Sequence, residues 1–394
     1  MGPGLGLRPN RDDEHKELRH GGLPLESPRA DAHLCREGEL MAETALARWT
    51  DRIGFAARQT ARVAWYAGHG AAMRRLLDRQ PGPRRPVRRP SKPVPDTGKL
   101  LADVAALLAR DLANVEAGHY PPPQDDEGDL AEQLARSRAF FRDVPEVARR
   151  RREGIRQEVV AGNGAAGRRP RYYLQNFHFQ SGGWLTEESA ALYDMQVEVL
   201  FQGAANAMRR QGLVPLADEL RGRDQRKLLF ADIATGTGSF LLQARHAFPR
   251  LPALAIDLSE PYLVHTRRRL GRVPAMQPVV AKAEALPLAD GALDAASAVF
   301  LFHELPPKIR RQVAVELGRV IRPGGLFIFV DSLQTGDEPD YDGLLELFPQ
   351  LFHEPYFEGY LAEDLAALFK RAGFMKEGDR NAFFSKVVQF RRER

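Results

Sequence analysis

A chain of 394 residues, 43% hydrophobic and 28% charged, exceeds one average domain and carries enough apolar material for a sizeable core. Its 57 basic against 52 acidic side chains leave a net charge of +5, too small an excess to imply a nucleic-acid partner by itself. No apolar run approaches the roughly 20 residues of a membrane span, no signal-peptide centre opens the sequence, and a lone Cys35 excludes an internal disulfide or a cysteine-based metal site; a cytoplasmic protein is the expectation.

Residues 1–40 are polar, rich in Gly, Pro and charge and without period, which predicts a disordered tail. Met41–Arg79 places Leu46, Trp49, Ile53, Val63, Trp65 and Leu76 at helical spacing. The stretch 81–98, PGPRRPVRRPSKPVPDTG, reads as a basic linker of polyproline character. A helix follows over Lys99–Ala117 and stops before Tyr120-Pro121-Pro122-Pro123. Another spans Asp129–Arg152, acidic at its start and basic at its end, as the helix dipole favours. Residues 41–160 therefore form an all-helical accessory region. The arginines at 84, 85, 88 and 89, at 149–152, and at 168, 169 and 171 are read as solvated faces rather than a phosphate-binding surface.

A flexible connector over 161–170 leads to a segment, 172–185, that mixes rings with amides. Tyr173 and Trp184 in it are candidates for contact with a substrate, as pocket wall or lid. Thr186 opens the next helix. From 228 onward strands alternate with helices. Strands are expected at Leu228–Ile233, Ala253–Asp257, Pro278–Ala281, Leu293–Leu301, Gly325–Asp331, Phe374–Glu377 and Phe383–Phe390. Helices are expected at Phe240–Ala247, Glu260–Leu270, Pro307–Val320 and Leu361–Ala372. The pattern predicts an α/β fold: a doubly wound, mostly parallel, seven-stranded sheet behind an N-terminal all-helical region. Only a turn at Gly378–Asn381 separates the last two strands, so the last should run antiparallel.

The motif that organises the chain is LLFADIATGTGSF, Leu228–Phe240: apolar strand, Thr235-Gly236-Thr237-Gly238 turn, then helix. Glycines let the backbone pass close under a ligand, and the new helix aims free N–H groups at it. The next strand ends in Asp257, about 20 residues on, where nucleotide-binding α/β units carry an acid for ribose hydroxyls.

These segments, with AIDLSEPYL, AKAEALPLADGALDAASAVFLFHELP and LGRVIRPGGLFIFVDS, resemble in order and spacing a class I S-adenosylmethionine-dependent methyltransferase of the ubiquinone/menaquinone-biosynthesis-like group. The resemblance covers 172–394 and implies a Rossmann-like methyltransferase domain with S-adenosyl-L-methionine as cofactor. It implies that Asp232, Ala234, Thr235, Gly236 and Gly238 lie beneath the methionine part, and that Asp257 accepts the ribose hydroxyls. Leu258 and Ala283 would meet the adenine, with Glu284 a substitute where the family's usual acid is Lys282, and Phe300 and His303 would face the sulfonium.

A phenol or ammonium acceptor requires a base. His303, ending a buried strand at the edge where α/β ligands bind, is the first candidate, with His178 the second. His265 and His353 are expected at the surface, and Glu304 either orients His303 or caps a turn. The insertion 332–360 gathers acids and rings, with Tyr341 and Tyr356 as further candidates for the substrate. No spacing suggests a metal site. The expected partner is a small, partly apolar, aromatic or quinone-like methyl acceptor, methylated on O, N or C, with a homodimer left open. The rivals are an RNA methyltransferase using the arginine clusters, a non-catalytic S-adenosylmethionine-binding protein and, more weakly, a nicotinamide dehydrogenase, which the missing third glycine at Leu241 disfavours.

Overall fold

The computed structural model of the chain describes residues 29–79, 87–124, 128–157, 169–271 and 276–394, with side chains from 50 onward. The chain divides into two units, Met1–Ile53 and Gly54–Arg394. Helix α1 (Arg29–Asp78) starts before Met41, so the end of the expected tail is helical. The segment RADAHLCREGEL is built of good helix formers without an apolar stripe, and propensity alone leaves no period to read. The rest of the expected tail, 1–28, lies outside the described residues, as do 81–86 of the linker and 161–168 of the connector.

From Val87 the linker is extended, as its prolines dictate, but it is fastened. Arg88 N donates to Gln350 Oε1 at 2.8 Å, and Ser91 donates from both N and Oγ to Glu346 at 2.6 Å. Helix α2 (Thr97–Glu116) begins where the Asp96 carboxylate accepts from Lys99 N. Helix α3 (Leu130–Glu153) has a reciprocal cap between Asp129 and Glu132 and closes on a left-handed Gly154. Thr186 caps α4 (Glu187–Leu200), its Oγ1 accepting from Ser189 N.

Two short helices, α5 (Ala205–Arg210) and α6 (Leu213–Leu220), fall where the sequence reading has no element. α5 is buried on nearly every side, Arg209 and Arg210 included, which erases the one-sided period that marks a surface helix, and α6 keeps a polar edge at Asp218 but spans only Leu213–Leu220. Arg210 forms a bidentate pair with Asp111 of α2, at 2.6 Å from Nη2, and Tyr120 donates to the same carboxylate at 2.7 Å.

The sheet holds β1 (Phe230–Ile233), β2 (Ala253–Asp257), β3 (Met276–Val280), β4 (Leu293–Val299), β5 (Ile321–Ser332), β6 (Phe374–Ala382) and β7 (Ser385–Arg392) in the order 3-2-1-4-5-7-6. β1 to β5 are parallel, and β7 runs antiparallel between β5 and β6. The hairpin turn lies at Phe383–Phe384, not at Gly378–Asn381. Gly378 instead marks a register shift inside β6, the bulge that an isolated strand glycine also signals.

Alternation along β5 shows both faces covered. Leu326, Ile328 and Val330 pack with α6, α7 (Ser239–Ala247) and α8 (Glu260–Leu270), while Phe327 and Phe329 pack with α9 (Pro307–Val320) and α12 (Leu365–Arg371). The insertion after β5 is helical rather than a loop, with α10 (Asp342–Leu351) and α11 (Phe357–Leu361). The single helix expected over Leu361–Ala372 starts only at Leu365, capped by Asp364.

Candidate active site

The turn after β1 is held from three sides. Gly236 N donates to Asp257 Oδ2 at 2.8 Å, and Thr266 Oγ1 donates to Gly236 O at 2.8 Å. Thr237 and Ser239 donate to Asp194 of α4 at 2.7 and 2.8 Å, and Arg269 closes on the same carboxylate at 2.6 Å. Burial works against charge on Asp194, but Arg269 and Arg209 outweigh it and hold its pKa below the usual carboxylate value. Asp194 is a residue the sequence reading missed; nothing local distinguishes it from a surface acid on a helix.

Ala234 and Gly236 both have positive φ, 56° and 58°, and a Cβ built at Gly236 meets no atom within 4 Å. The turn thus leaves room on its upper side for a ligand to lie against the backbone. Gly238, at φ 76°, does the opposite: a Cβ there would come within 2.6 Å of Thr266.

Above the turn lies a crevice of about 100 Å³ lined by Ala234, Gly236, Asp257, Leu258, Ala283, Glu284 and Phe300 together with Tyr172, Tyr173, Phe177 and Trp184. Seven of the residues expected to meet the cofactor therefore converge on one space. Asp257 accepts from Gly236 N and Ser259 N, and burial raises its pKa against those bonds. Its two oxygens keep lone pairs for further donors. Glu284 accepts from Tyr172 Oη at 2.7 Å on one oxygen, while the other is buried without a partner. That orphan acceptor and the open side of Gly236 fit an adenosyl group. Phe177 and Trp184, both in the crevice wall, stack with ring centroids 4.2 Å apart. Tyr173 and Trp184, expected at the substrate, line this cofactor-side crevice.

Asp232, Thr235 and Gly238 line neither cavity described here. Asp232 accepts from Ser297 Oγ at 2.6 Å and Thr235 Oγ1 at 2.7 Å, and burial pushes its pKa up to about 6. It braces the floor of the turn.

A second cavity, of about 810 Å³, adjoins the crevice, with Tyr193 in the wall of both. α1 contributes Met73 and Leu77, α3 contributes Phe140, Val144, Arg151 and Arg152, and the 177–179 turn and the insertion contribute His178, Phe352, His353 and Glu354. The reading of all the arginines as solvated faces is corrected here: Arg151 and Arg152 face this cavity, and Arg150 is buried, donating to Phe179 O at 3.0 Å.

The placement of His303 is also corrected. It lines neither cavity; it is buried behind the crevice, with Nδ1 2.5 Å from Asp331 Oδ1 and Nε2 3.8 Å from Glu304 Oε1. Burial opposes its charge, but Asp331 beside it outweighs burial and raises its pKa to about 9. Glu304 is the residue that reaches the crevice, while the hydrogen bond of His303 goes to Asp331 and its Nε2 stands at ion-pair distance from Glu304. His178 does face the larger cavity, on a turn where it and Phe179 have φ of 55° and 56°. Its burial is likewise outweighed by Glu354 and Glu304, and its pKa rises to about 10.

His353, expected at the surface, is buried, bonded to Gln175 at 3.0 Å, and lowered to about 4 by burial and the nearby Arg156. Tyr341 is corrected too: it is 1% exposed, bonded to Asp103 at 2.7 Å, and packs against Phe384, away from both cavities. Tyr356 lines neither cavity; its backbone carbonyl accepts from Arg310, which fastens the insertion to the 302–304 turn.

A glycine turn after β1, an acid closing β2 and a crevice at the carboxyl ends of the parallel strands define a doubly wound, nucleoside-binding enzyme sheet. A family model described as a methyltransferase domain matches residues 230–325. The ubiquinone/menaquinone biosynthesis C-methyltransferase UbiE of Acidiphilium cryptum is 31% identical over 212 residues, which cover 49% of this chain and 82% of that protein. The protein of the same name from Methylobacterium nodulans is 30% identical over 40% of this chain, and the chain spans 62% of its length. The malonyl-[acyl-carrier protein] O-methyltransferase of Geobacter sulfurreducens is 28% identical, over 36% of this chain and 54% of that protein. The chain belongs to the S-adenosylmethionine-dependent methyltransferases of the ubiquinone/menaquinone-biosynthesis type, whose cofactor is S-adenosyl-L-methionine.

Proposed function

We propose that this protein transfers a methyl group from S-adenosylmethionine to a small, partly apolar, aromatic or quinone-like metabolite held in the larger cavity. The observation that carries the reading is the adjacency of two spaces of different character. One is a narrow crevice over the glycine turn, and the other is an 810 Å³ cavity, within the range of small-molecule sites. Bound in the crevice, the cofactor supplies an activated methyl group for in-line displacement. Ala234 and Gly236 would lie beneath its methionine part, Asp257 would hold its ribose, Leu258, Ala283 and Glu284 its adenine, and Phe300 the side toward the acceptor.

The chain's own task is alignment and exclusion of water. Met73, Leu77, Phe140, Val144 and Phe352 would grip an apolar ring, and Glu304 and His178, 3.7 Å apart at the junction, are placed to hold or take a proton. The cavity's arginines sit within a recess rather than along an open stripe, which favours a small acceptor over RNA.

Incubation of the protein with isotope-labelled S-adenosylmethionine and a whole-cell extract, followed by mass spectrometry of the metabolite and RNA fractions, tests this. A labelled small molecule is expected. Saturable cofactor binding with no label transferred would leave a binding protein, and label in RNA would reverse the choice of acceptor.

A further inference from the structure

Three donor side chains converge where the two cavities meet. His178 Nε2 lies 2.9 Å from Glu354 Oε1 and 3.7 Å from Glu304 Oε1, and one donor atom from each residue falls within 4.8 Å of the others. Ligands bound to one ion at roughly 2.0–2.2 Å stand roughly 3–3.5 Å apart, so small side-chain rotations close the set. Glu354 supplies a second observation. Its side chain has 0% exposure, and its Oε2 has no hydrogen-bond partner. A carboxylate oxygen left so is costly and calls for a cation or donor not supplied by the chain.

The site is also braced. His178 is held in a left-handed backbone conformation at φ 55°, and Arg310 ties the 302–304 turn to the insertion through Phe302 O, Tyr356 O and Gly359 O.

We propose that His178, Glu304 and Glu354 bind one divalent transition-metal ion. A mixed imidazole and carboxylate set suits manganese, iron(II) or zinc better than magnesium or calcium. His303, bonded to Asp331, stands 3.8 Å from Glu304 Oε1 behind the set. The three protein ligands leave coordination positions toward the larger cavity. If that cavity takes the methyl acceptor, as proposed above, the ion would meet an acceptor bearing a hydroxyl or carbonyl oxygen and favour its deprotonated form. Only this consequence rests on the functional reading; ion binding does not.

The test uses the full chain, stripped with a chelator and titrated with Co(II), read by electronic absorption, and with Mn(II), read by paramagnetic resonance. One saturable equivalent is expected, weakened at least tenfold in both Glu354→Gln and His178→Gln. S-adenosylhomocysteine binding, measured by calorimetry on the same samples, should stay within twofold and reports that each variant is folded. If one variant does not fold, the other carries the comparison. No stoichiometric uptake, or equal uptake by a folded variant, overturns the site. Loss of S-adenosylhomocysteine binding in the wild type would overturn the methyltransferase reading while leaving the ion site standing.

Discussion

Asp257 shows how one side chain joins structure to binding. Its carboxylate already fixes Gly236 N and Ser259 N at 2.8 Å each, and its remaining lone pairs face the crevice. Asp257→Ala should therefore raise the dissociation constant for S-adenosylmethionine at least a hundredfold by calorimetry; wild-type affinity would refute the ribose role. Asp232 is tuned differently. Burial raises its folded-state pKa from 3.8 to about 6, so the native state holds the proton more tightly than the unfolded chain. The stability this gives is fully present below about pH 4 and is lost as pH rises through about 6, on the order of 3 kcal/mol. Asp232→Asn should flatten that slope in denaturant titrations between pH 4 and 7, and an unchanged slope would assign the dependence to another group. His303 illustrates the limit of reading a histidine from its place after a strand. The strand ends earlier, at Val299, and His303 lies in the 302–304 turn beyond it, where its side chain bonds Asp331 and neighbouring Glu304 lines the crevice.

The glycine turn separates two uses of one residue type. Gly236 is open above and Gly238 is crowded by Thr266. Gly236→Ala should cost about 1 kcal/mol of stability yet weaken cofactor binding tenfold or more. Gly238→Ala should instead lower the melting temperature through about 2 kcal/mol of strain and overlap. Equal effects of the two on binding and stability would refute this division. The fastened linker makes a second element-scale prediction. Glu346 accepts from Ser91 twice, so Glu346→Ala should speed limited proteolysis within 87–96, with the cleavage mapped by mass spectrometry. Composition identifies that stretch as extended, because prolines forbid a helix. The partner helix 250 residues away in sequence, marked by Lys92 and Asp342, has no local trace.

Across the Gly54–Arg394 unit, α2 is joined to the methyltransferase sheet through buried charge. Asp111 is fully buried, pairs with Arg210 and accepts from Tyr120. Asp111→Ala would remove the bidentate carboxylate partner of buried Arg210 and should cost about 3–5 kcal/mol in denaturant unfolding. A loss under 1 kcal/mol would show that the helices and the sheet unfold separately. The sequence by itself determined the strands and helices of the sheet and most of the residues that line the crevice. Strand alternation, glycines and caps act over a few residues, and Asp257 is tied to its strand end by chain geometry. Only the tertiary structure decided which residues share the junction, because His178, Glu304 and Glu354 come from three distant segments brought together by packing. It also decided that Tyr341 packs away from the cavities and that Asp194 latches the turn. Burial and distance are properties of the assembled chain, and no local spacing encodes them.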